Sequence, residues 1–184
     1  MTKRKVPSRC IVVDASVAHS AGDENATHPL GIRCRDFLMS IRQVCHRVTW
    51  NAGIEEEWNR HLSKFATRWL ASMQRIGKLR IVAEGVPDKL TDAVLESTSN
   101  RGIAAAMKKD LHLLAAALES DSRIASLDDK VRGYFAQHLR QIAGVGEVVW
   151  VNPADGPEDS ETSDAVAWLE AGAPVQRRRQ LGKY

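Results

Sequence analysis

Short apolar runs alternate along this chain with longer segments in which apolar residues recur every three or four positions. The short runs predict strands, because unbroken β-branched residues are typical of strands covered on both faces. The longer segments predict helices with one buried face. The predicted strands are 10–13, 48–50, 79–82, 123–127 and 147–151, and the predicted helices are 35–47, 52 to about 77, 87–97, 101–119, 129–143 and one or two turns within 165–171.

This alternation predicts an α/β fold, a three-layer α/β/α sandwich around a five-stranded, mostly parallel sheet with right-handed crossovers. We expect the strand order 3-2-1-4-5, in a domain that spans residues 1–152. From residue 153 the composition shifts to Asp, Glu, Gly, Ser and Pro before a basic end. Such a composition favours a flexible or loosely docked tail over residues 153–184.

An aspartate lies in the middle of the apolar face of predicted helix 101–119. On a helical projection, apolar residues fall on both sides of Asp110, while Lys108, Lys109 and His112 fall on the opposite face. Burying a carboxylate without compensation costs several kcal/mol. Asp110 is therefore either satisfied by a buried salt bridge or held there for a function.

Further carboxylates follow two of the predicted strands. Asp14 comes directly after strand 10–13, and Asp128 follows strand 123–127. These strands are neighbours in the predicted order, so both aspartates are expected at the carboxyl edge of the sheet, where α/β folds place their sites. A purely structural role for Asp128, as the N-cap of the next helix, fits the sequence equally well.

Three consecutive glutamates, Glu55, Glu56 and Glu57, lie near the start of predicted helix 52–77. Acidic residues in a first helical turn are commonly explained by the helix dipole, which accounts for at least two of the three. Glu56 faces away from the apolar stripe, whereas Glu55 and Glu57 lie on its two edges. Periodicity does not choose between them, and either can reach the edge that Asp110 approaches.

Converging carboxylates repel one another, and divalent cations are the usual remedy. Ligation by oxygen atoms alone suits Mg²⁺ or Mn²⁺ rather than Zn²⁺. Such ions activate water and neutralise charge on a phosphodiester during its cleavage. The acidic pattern therefore indicates metal-dependent phosphodiester hydrolysis.

A second set of metal-ligating residue types lies within the polar segment 19–31. It has neither helical spacing nor an apolar frame, so we interpret it as part of a solvated loop. Its members are His19, Asp23, Glu24 and His28.

Charge is spread unevenly along the chain, which has 26 Lys and Arg residues, 23 Asp and Glu residues and a net charge of +3. Acidic residues cluster in 155–164, so the part before residue 153 is more basic than the whole chain. That balance is compatible with an anionic polymer as partner, although a solvated surface explains it as well. Basic residues cluster at both ends, as Lys3, Arg4, Lys5 and Arg9 and as Arg177, Arg178, Arg179 and Lys183.

Targeting signals are not evident in the sequence. No run of about 18 apolar residues occurs, and no apolar segment follows the basic N-terminus, so we expect neither a membrane span nor a signal peptide. The three cysteines, Cys10, Cys34 and Cys45, form no CxxC pair. They are expected to be reduced thiols in a cytoplasmic protein.

Several of these segments together resemble the PIN domain family. The opening of a PIN domain is similar to IVVDASV, which contains Asp14 and Ser16, and the helix after its second strand is similar to GIEEEW. Its second half is similar to KKDLHLLAAAL followed by RIASLDDKV, in which Asp110 opens the pattern and Asp128 ends the strand. The resemblance covers about residues 10–151.

The resemblance implies an Mg²⁺- or Mn²⁺-dependent endoribonuclease that cleaves single-stranded RNA. Many PIN domains are the toxin halves of bacterial toxin–antitoxin pairs, and others act in RNA processing and decay. The implied partners are therefore RNA and, for a toxin, an antitoxin protein. A homodimer is also compatible with the resemblance.

The resemblance also implies a set of site residues. It favours Glu57 over Glu55, because Glu57 lies three residues after Ile54 and directly before Trp58. The implied catalytic and metal-binding residues are Asp14, Glu57, Asp110 and Asp128, and the implied supporting residues are Ser16, Ser126 and Asp129.

Three other interpretations compete with a nuclease. The chain can be a catalytically inactive PIN-like module that binds RNA or a protein, or a structural α/β domain in which Asp110 forms a salt bridge. A receiver-like phosphoacceptor domain also gathers acids around Mg²⁺, but it needs an Asp after the third strand and a Lys after the fifth. Ala83 and Glu84 follow the third strand here, and Asn152 and Pro153 follow the fifth.

Overall fold

The computed structural model describes residues 6–25, 27–156 and 163–184 of the chain, and these contain five strands and eight α-helices. The predicted strands are all present, with ends that differ by up to two residues. The strands are β1 (Cys10–Val13), β2 (Arg47–Trp50), β3 (Leu79–Ile81), β4 (Arg123–Ala125) and β5 (Val149–Val151). The helices are α1 (Ala15–Ser20), α2 (Pro29–Gln43), α3 (Ala52–His61), α4 (Lys64–Arg75), α5 (Asp88–Ser97), α6 (Arg101–Leu118), α7 (Asp129–His138) and α8 (Asp164–Glu170).

The five strands form one sheet in the order β3-β2-β1-β4-β5, and all neighbouring strands are parallel. Helices cover both faces, with α2 against α4 and α8, and α6 against α5 and α7. The predicted three-layer α/β sandwich and its strand order are therefore confirmed. Because β1 lies between β2 and β4, the residues that follow β1 and β4 meet at one edge.

The centre of the sheet is the core of the molecule. Ile11, Val12 and Val13 of β1 are fully buried, as their unbroken apolar run predicts. Next to them, the indole Nε1 of Trp58 donates a hydrogen bond of 2.9 Å to the carbonyl of Val13. This bond satisfies a buried donor and fixes α3 beside the carboxyl end of β1.

The single helix predicted over residues 52–77 is two helices, α3 and α4, so that prediction was wrong. Leu62 has an extended backbone, and Ser63 caps α4 by accepting a hydrogen bond from the Ala66 amide. The Ser63 hydroxyl also donates a 2.6 Å bond to the carbonyl of Ala18 in α1. The bond between Ser63 and Ala18 favours a helix break at residues 62–63, although the apolar stripe of the sequence continues through these residues.

The loop within the polar segment 19–31 is shorter than the sequence predicts, because helices cover both ends of the segment. Its first two residues belong to α1, and Pro29 begins α2, where its fixed φ and missing amide hydrogen suit the first helical position. The helix predicted over 129–143 ends earlier, at His138. A short 3₁₀ turn, Val145–Glu147, then leads into β5.

The prediction of a flexible or loosely docked tail was wrong for residues 163–184, because these residues pack against the domain. Trp168 and Leu169 of α8 are buried. The carbonyl of Leu169 lies 3.0 Å from Nε2 of the buried His46, and the amide of Leu181 donates to the carbonyl of Val148. The acids Glu158, Asp159 and Glu161, like Lys3, Arg4 and Lys5, lie outside the described residues.

None of the helices in the described parts of the chain combines the length and the apolar character that a membrane span requires.

Candidate acidic site

A cavity of about 260 Å³ lies where the carboxyl ends of β1 and β4 meet α3 and α6. We call it the acidic cavity, because all four carboxylates implied by the resemblance line it. They come from four separate elements, so the fold itself brings them together. These residues are Asp14 after β1, Glu57 on α3, Asp110 on α6 and Asp128 before α7.

Two serine hydroxyls hold the Asp14 carboxylate in one orientation. Ser16 and Ser126 each donate a hydrogen bond of 2.6 Å to Asp14 Oδ2, and the Ser16 amide lies 3.3 Å from Oδ1. The hydroxyl of Ser126 in turn accepts a bond from the amide of Asp128. The two serines therefore hold the Asp14 carboxylate, and Ser126 links it to the backbone of Asp128.

Asp110 is buried and lies among the other acids. Burial first, and then the negative charges of Asp14, Glu57 and Asp128, raise the pKa of Asp110 to about 6. Its ion pair in the described chain is with Lys109, at 3.9 Å, and that lysine side chain is 76% exposed. An exposed contact of this kind is worth about 0–1 kcal/mol, which does not offset the burial of a carboxylate. The salt-bridge interpretation of Asp110 is therefore disfavoured.

Periodicity left open whether Glu55 or Glu57 reaches the acidic edge of the sheet, and the structure places Glu57 there. Glu57 lines the acidic cavity, whereas Glu55 is exposed and does not. The Oε2 atom of Glu57 lies 3.2 Å from Nε2 of His112 on α6, an ion-pair contact without the alignment of a good hydrogen bond. The contact with His112 lowers the pKa of Glu57, in spite of an opposing effect of burial.

His112 is a site residue that sequence reasoning missed. It lies opposite the apolar face of α6, but α3 packs against that side and leaves the imidazole only 15% exposed. Burial by itself lowers the pKa of His112, but the contact with Glu57, the Lys109 carbonyl and the charge of Asp110 outweigh it and raise the pKa. Only the packing of α3 on α6, which periodicity does not encode, reveals this partner.

Five residues that the predicted site did not include also line the acidic cavity: Ala15, His19, Arg60, His61 and Lys109. The rings of His19 and His61 meet edge to face with centroids 6.1 Å apart, and His19 Nδ1 lies 3.2 Å from the His61 carbonyl. Arg60 is exposed and paired with Glu56 one turn earlier. The rim of the cavity is therefore cationic and aromatic in part, around an acidic centre.

The metal-ligating residue types of segment 19–31 have separate partners in the described chain. Glu24 pairs with Arg68, and the Asp23 carboxylate accepts a bond from the amide of Asn25. His28 caps α2 through the Leu30 amide. His19 alone of this set faces the acidic cavity.

The two consecutive aspartates before and in α7 point to different places. Asp128 Oδ1 accepts a 2.8 Å bond from the amide of Val131, so this residue is an N-cap and also lines the acidic cavity. Asp129 instead accepts a 2.7 Å bond from the Asn152 amide group and lies 3.6 Å from Arg132. The structure does not bring Asp129 into the acidic cavity.

The donor set of the acidic cavity suits a hard cation, since carboxylate and hydroxyl oxygens are the ligands that Mg²⁺ and Mn²⁺ prefer. Within 6–25, 27–156 and 163–184, however, no three His, Cys, Asp or Glu side chains lie close enough to hold one ion together. The four acids share a cavity and repel one another across it. A cation would have to draw their carboxylates closer.

The residues of the chain itself are the basis for assigning a function to this cavity. Comparisons with protein-family models, with curated proteins and with solved structures found no match.

Proposed function

We propose that this protein is a metal-dependent endoribonuclease that cleaves single-stranded RNA at the acidic cavity. Its Mg²⁺ or Mn²⁺ would be held by Asp14, Glu57, Asp110 and Asp128. The observation that carries this proposal is the burial of Asp110 among three other acids, which raises its pKa to about 6. Burial of a carboxylate among like charges costs stability, and arrangements of this kind cluster at functional sites.

The chemistry of the substrate supports the same conclusion. Four carboxylates would repel an approaching phosphodiester, so an acidic cavity suits an RNA substrate only when a cation is bound. Held by these carboxylates, an Mg²⁺ or Mn²⁺ ion would supply activation of a water molecule and neutralisation of the developing charge. The chain's own contribution is to hold the oxygen ligands in place, and the Ser16 and Ser126 hydroxyls do so for Asp14.

The resemblance of residues 10–151 to the PIN family is the second support. Within that family, the chain would act in the cytoplasm either as the toxin of a toxin–antitoxin pair or as an RNA-processing nuclease. An antitoxin protein or a second copy of the chain would then be its protein partner. These roles share one cavity and one reaction.

A catalytically inactive PIN-like module that binds RNA or protein is the second candidate. The observation that favours it is that the described residues contain no three acid, His or Cys side chains close enough to hold one ion. In addition, His112 already engages Glu57 at 3.2 Å. A module of this kind would use the cavity rim and leave the acids as a structural remnant.

Cleavage of a labelled single-stranded RNA by the purified full-length protein separates the two candidates. We expect cleavage with Mn²⁺ or Mg²⁺, none with a chelator, and a loss of about 100-fold or more in Asp14→Asn. Glu55→Gln is the matched control, because Glu55 is exposed outside the cavity, and it should cleave like wild type. A folded wild-type protein that binds RNA without cleaving it would establish the binding module instead.

A further inference from the structure

Two further cavities continue from the acidic cavity along α7. The first, of about 520 Å³, shares Lys109, Asp110 and Asp128 with the acidic cavity. It extends to Lys130 and Tyr134, which it shares with the second, of about 510 Å³. Each cavity shares lining residues with the next, so the three lie side by side, and we call the two further cavities together the α7 groove.

Charge reverses along the α7 groove with distance from the acidic cavity. Exposed Lys109 and Lys130 line its first part, and exposed Arg140 lines its second. The acid of the second part, Asp129, is already engaged by Arg132 at 3.6 Å. Beyond the acidic centre the groove therefore presents the exposed cations Lys130 and Arg140, which complement a row of phosphates.

An aromatic ring stands at the junction of the two cavities. Tyr134 is half-buried, packs against the hydrophobic core and lines both parts of the groove. Lys130 lies one helical turn earlier, with its Nζ 6.0 Å from the ring centroid, at the outer limit of a cation–π contact. A ring packed against the core beside an exposed cation is the arrangement that single-strand binding proteins use, with bases stacked on the ring and cations along the backbone.

We propose that the α7 groove binds the RNA strand beside the cleavage site, with one base stacked on Tyr134 and the flanking phosphates contacted by Lys130 and Arg140. This inference rests on the proposed ribonuclease function, and it names how that site would select its substrate. Every base has a face that stacks, so the groove accepts any sequence. A base inside a duplex is not free to stack on a side chain, so the groove requires an unpaired strand.

Fluorescence anisotropy of a labelled RNA in the presence of a chelator tests the groove without cleavage. Tyr134→Leu keeps an apolar side chain but removes the ring, and it should weaken binding of single-stranded RNA by about 5- to 150-fold. Tyr134→Phe keeps the ring and should bind within about twofold of wild type. Binding of duplex RNA should be the same in all three proteins.

The lysine of the groove gives an independent variant at an exposed position. Lys130→Ala should weaken binding and reduce the slope of log affinity against log salt by about 0.7, the value for one phosphate contact on a single strand. Lys64→Ala is the matched control, since Lys64 is exposed at the start of α4, outside all three cavities. It should leave the slope unchanged.

Three results would overturn the groove: no RNA binding by wild type, wild-type affinity in a folded Tyr134→Leu variant, or equal loss on duplex RNA. If Tyr134→Leu does not fold, identical salt slopes for Lys130→Ala and Lys64→Ala would overturn it instead. The proposed nuclease activity can be refuted independently of the groove. Binding that depends on Tyr134 in a protein that cleaves nothing would support the groove and refute the nuclease, whereas cleavage with binding independent of Tyr134 would do the reverse.

Discussion

Glu57 on α3, which lines the acidic cavity, and His112 on α6 face each other with Oε2 and Nε2 3.2 Å apart. The contact shifts both groups toward their charged forms, lowering the pKa of Glu57 and raising that of His112. It is a link between α3 and α6 that leaves one of the four acids ionised. His112 thus favours the ionised form of Glu57.

This pair should stabilise the metal-free protein in a defined pH window. The contribution of Glu57 is present above pH 4.5 and is lost as the pH falls through its lowered pKa. The contribution of His112 is present below pH 6.5 and is lost as the pH rises through its raised pKa. The coupling free energy in a double-mutant cycle of Glu57→Gln and His112→Gln should therefore be greatest between these values, at about 1–2 kcal/mol.

Urea melts in the presence of a chelator measure this coupling at each pH. A coupling that is absent between pH 4.5 and 6.5, or that grows in alkali, would show that the two side chains do not act as an ion pair.

Asp110→Asn should stabilise the metal-free protein, and the gain should depend on pH. The pKa of Asp110 is about 6 in the folded protein, against an ordinary value of 3.8. Below pH 3.8 the carboxyl is neutral in both states, and its penalty develops as the pH rises from 3.8 to about 6. The substitution should therefore gain about 1–3 kcal/mol at neutral pH and little in acid, with loss of any cleavage.

Urea melts of both chelated proteins across this range provide the measurement. A structural ion pair predicts the opposite sign, because removing one partner of a buried pair costs about 3–5 kcal/mol. A strongly destabilised Asp110→Asn variant would thus remove Asp110 from the proposed metal site.

Ser126→Ala should reduce cleavage and leave the fold intact. Its hydroxyl donates to the Asp14 carboxylate and accepts from the backbone amide of Asp128, so its loss weakens the hold on Asp14 and the link between the two residues. Removing partners that orient metal ligands typically costs about 10–100-fold in activity or metal affinity. Ser40→Ala is the matched control, since Ser40 is also buried but lies outside the acidic cavity. Equal activity of the two variants would show that Ser126 does not position the acids.

Trp168→Ala should destabilise the protein by about 3–5 kcal/mol, as expected for a large buried side chain. Trp168 is 2% exposed, and its Nε1 donates to the Pro174 carbonyl at 2.8 Å. Val175→Ala, at a residue that is 60% exposed, should change stability by about 0.5 kcal/mol or less. Thermal melts compare the two, and a melting temperature unchanged in Trp168→Ala would mean that α8 is not docked.

The sheet and the meeting of Asp14, Asp110 and Asp128 were predictable from the patterns of single elements and the rules that connect them, whereas Glu57 was favoured over Glu55 only by the family resemblance. Buried strands are marked by their apolar runs, and the parallel order then places Asp14 and Asp128 at one edge without any knowledge of side-chain contacts. Asp110 was visible because a carboxylate interrupts an apolar helical face. These features depend on one element at a time and on the rules that connect elements.

Contacts between elements that are distant in sequence were not predictable. The break before Ser63 depends on its bond to Ala18, and the role of His112 depends on which side of α6 receives α3. The docking of the C-terminal segment depends on a few anchors, Trp168 above all, whose apolar signal is diluted by the polar residues around 153–164. In each case the contacting residue is far away in the sequence, whereas a periodic pattern covers only one element.

The most direct test of the acidic cavity is calorimetric titration of the full-length protein with Mn²⁺. Wild type and Glu55→Gln should bind the ion with the same affinity, and their melting temperatures should rise with its concentration by mass action. Glu57→Gln and Asp110→Asn should each lose about tenfold or more in affinity, because each loses an anionic oxygen ligand. Binding that is absent at about 1 mM Mn²⁺, or equal affinity in all four proteins, would contradict a metal site formed by these carboxylates.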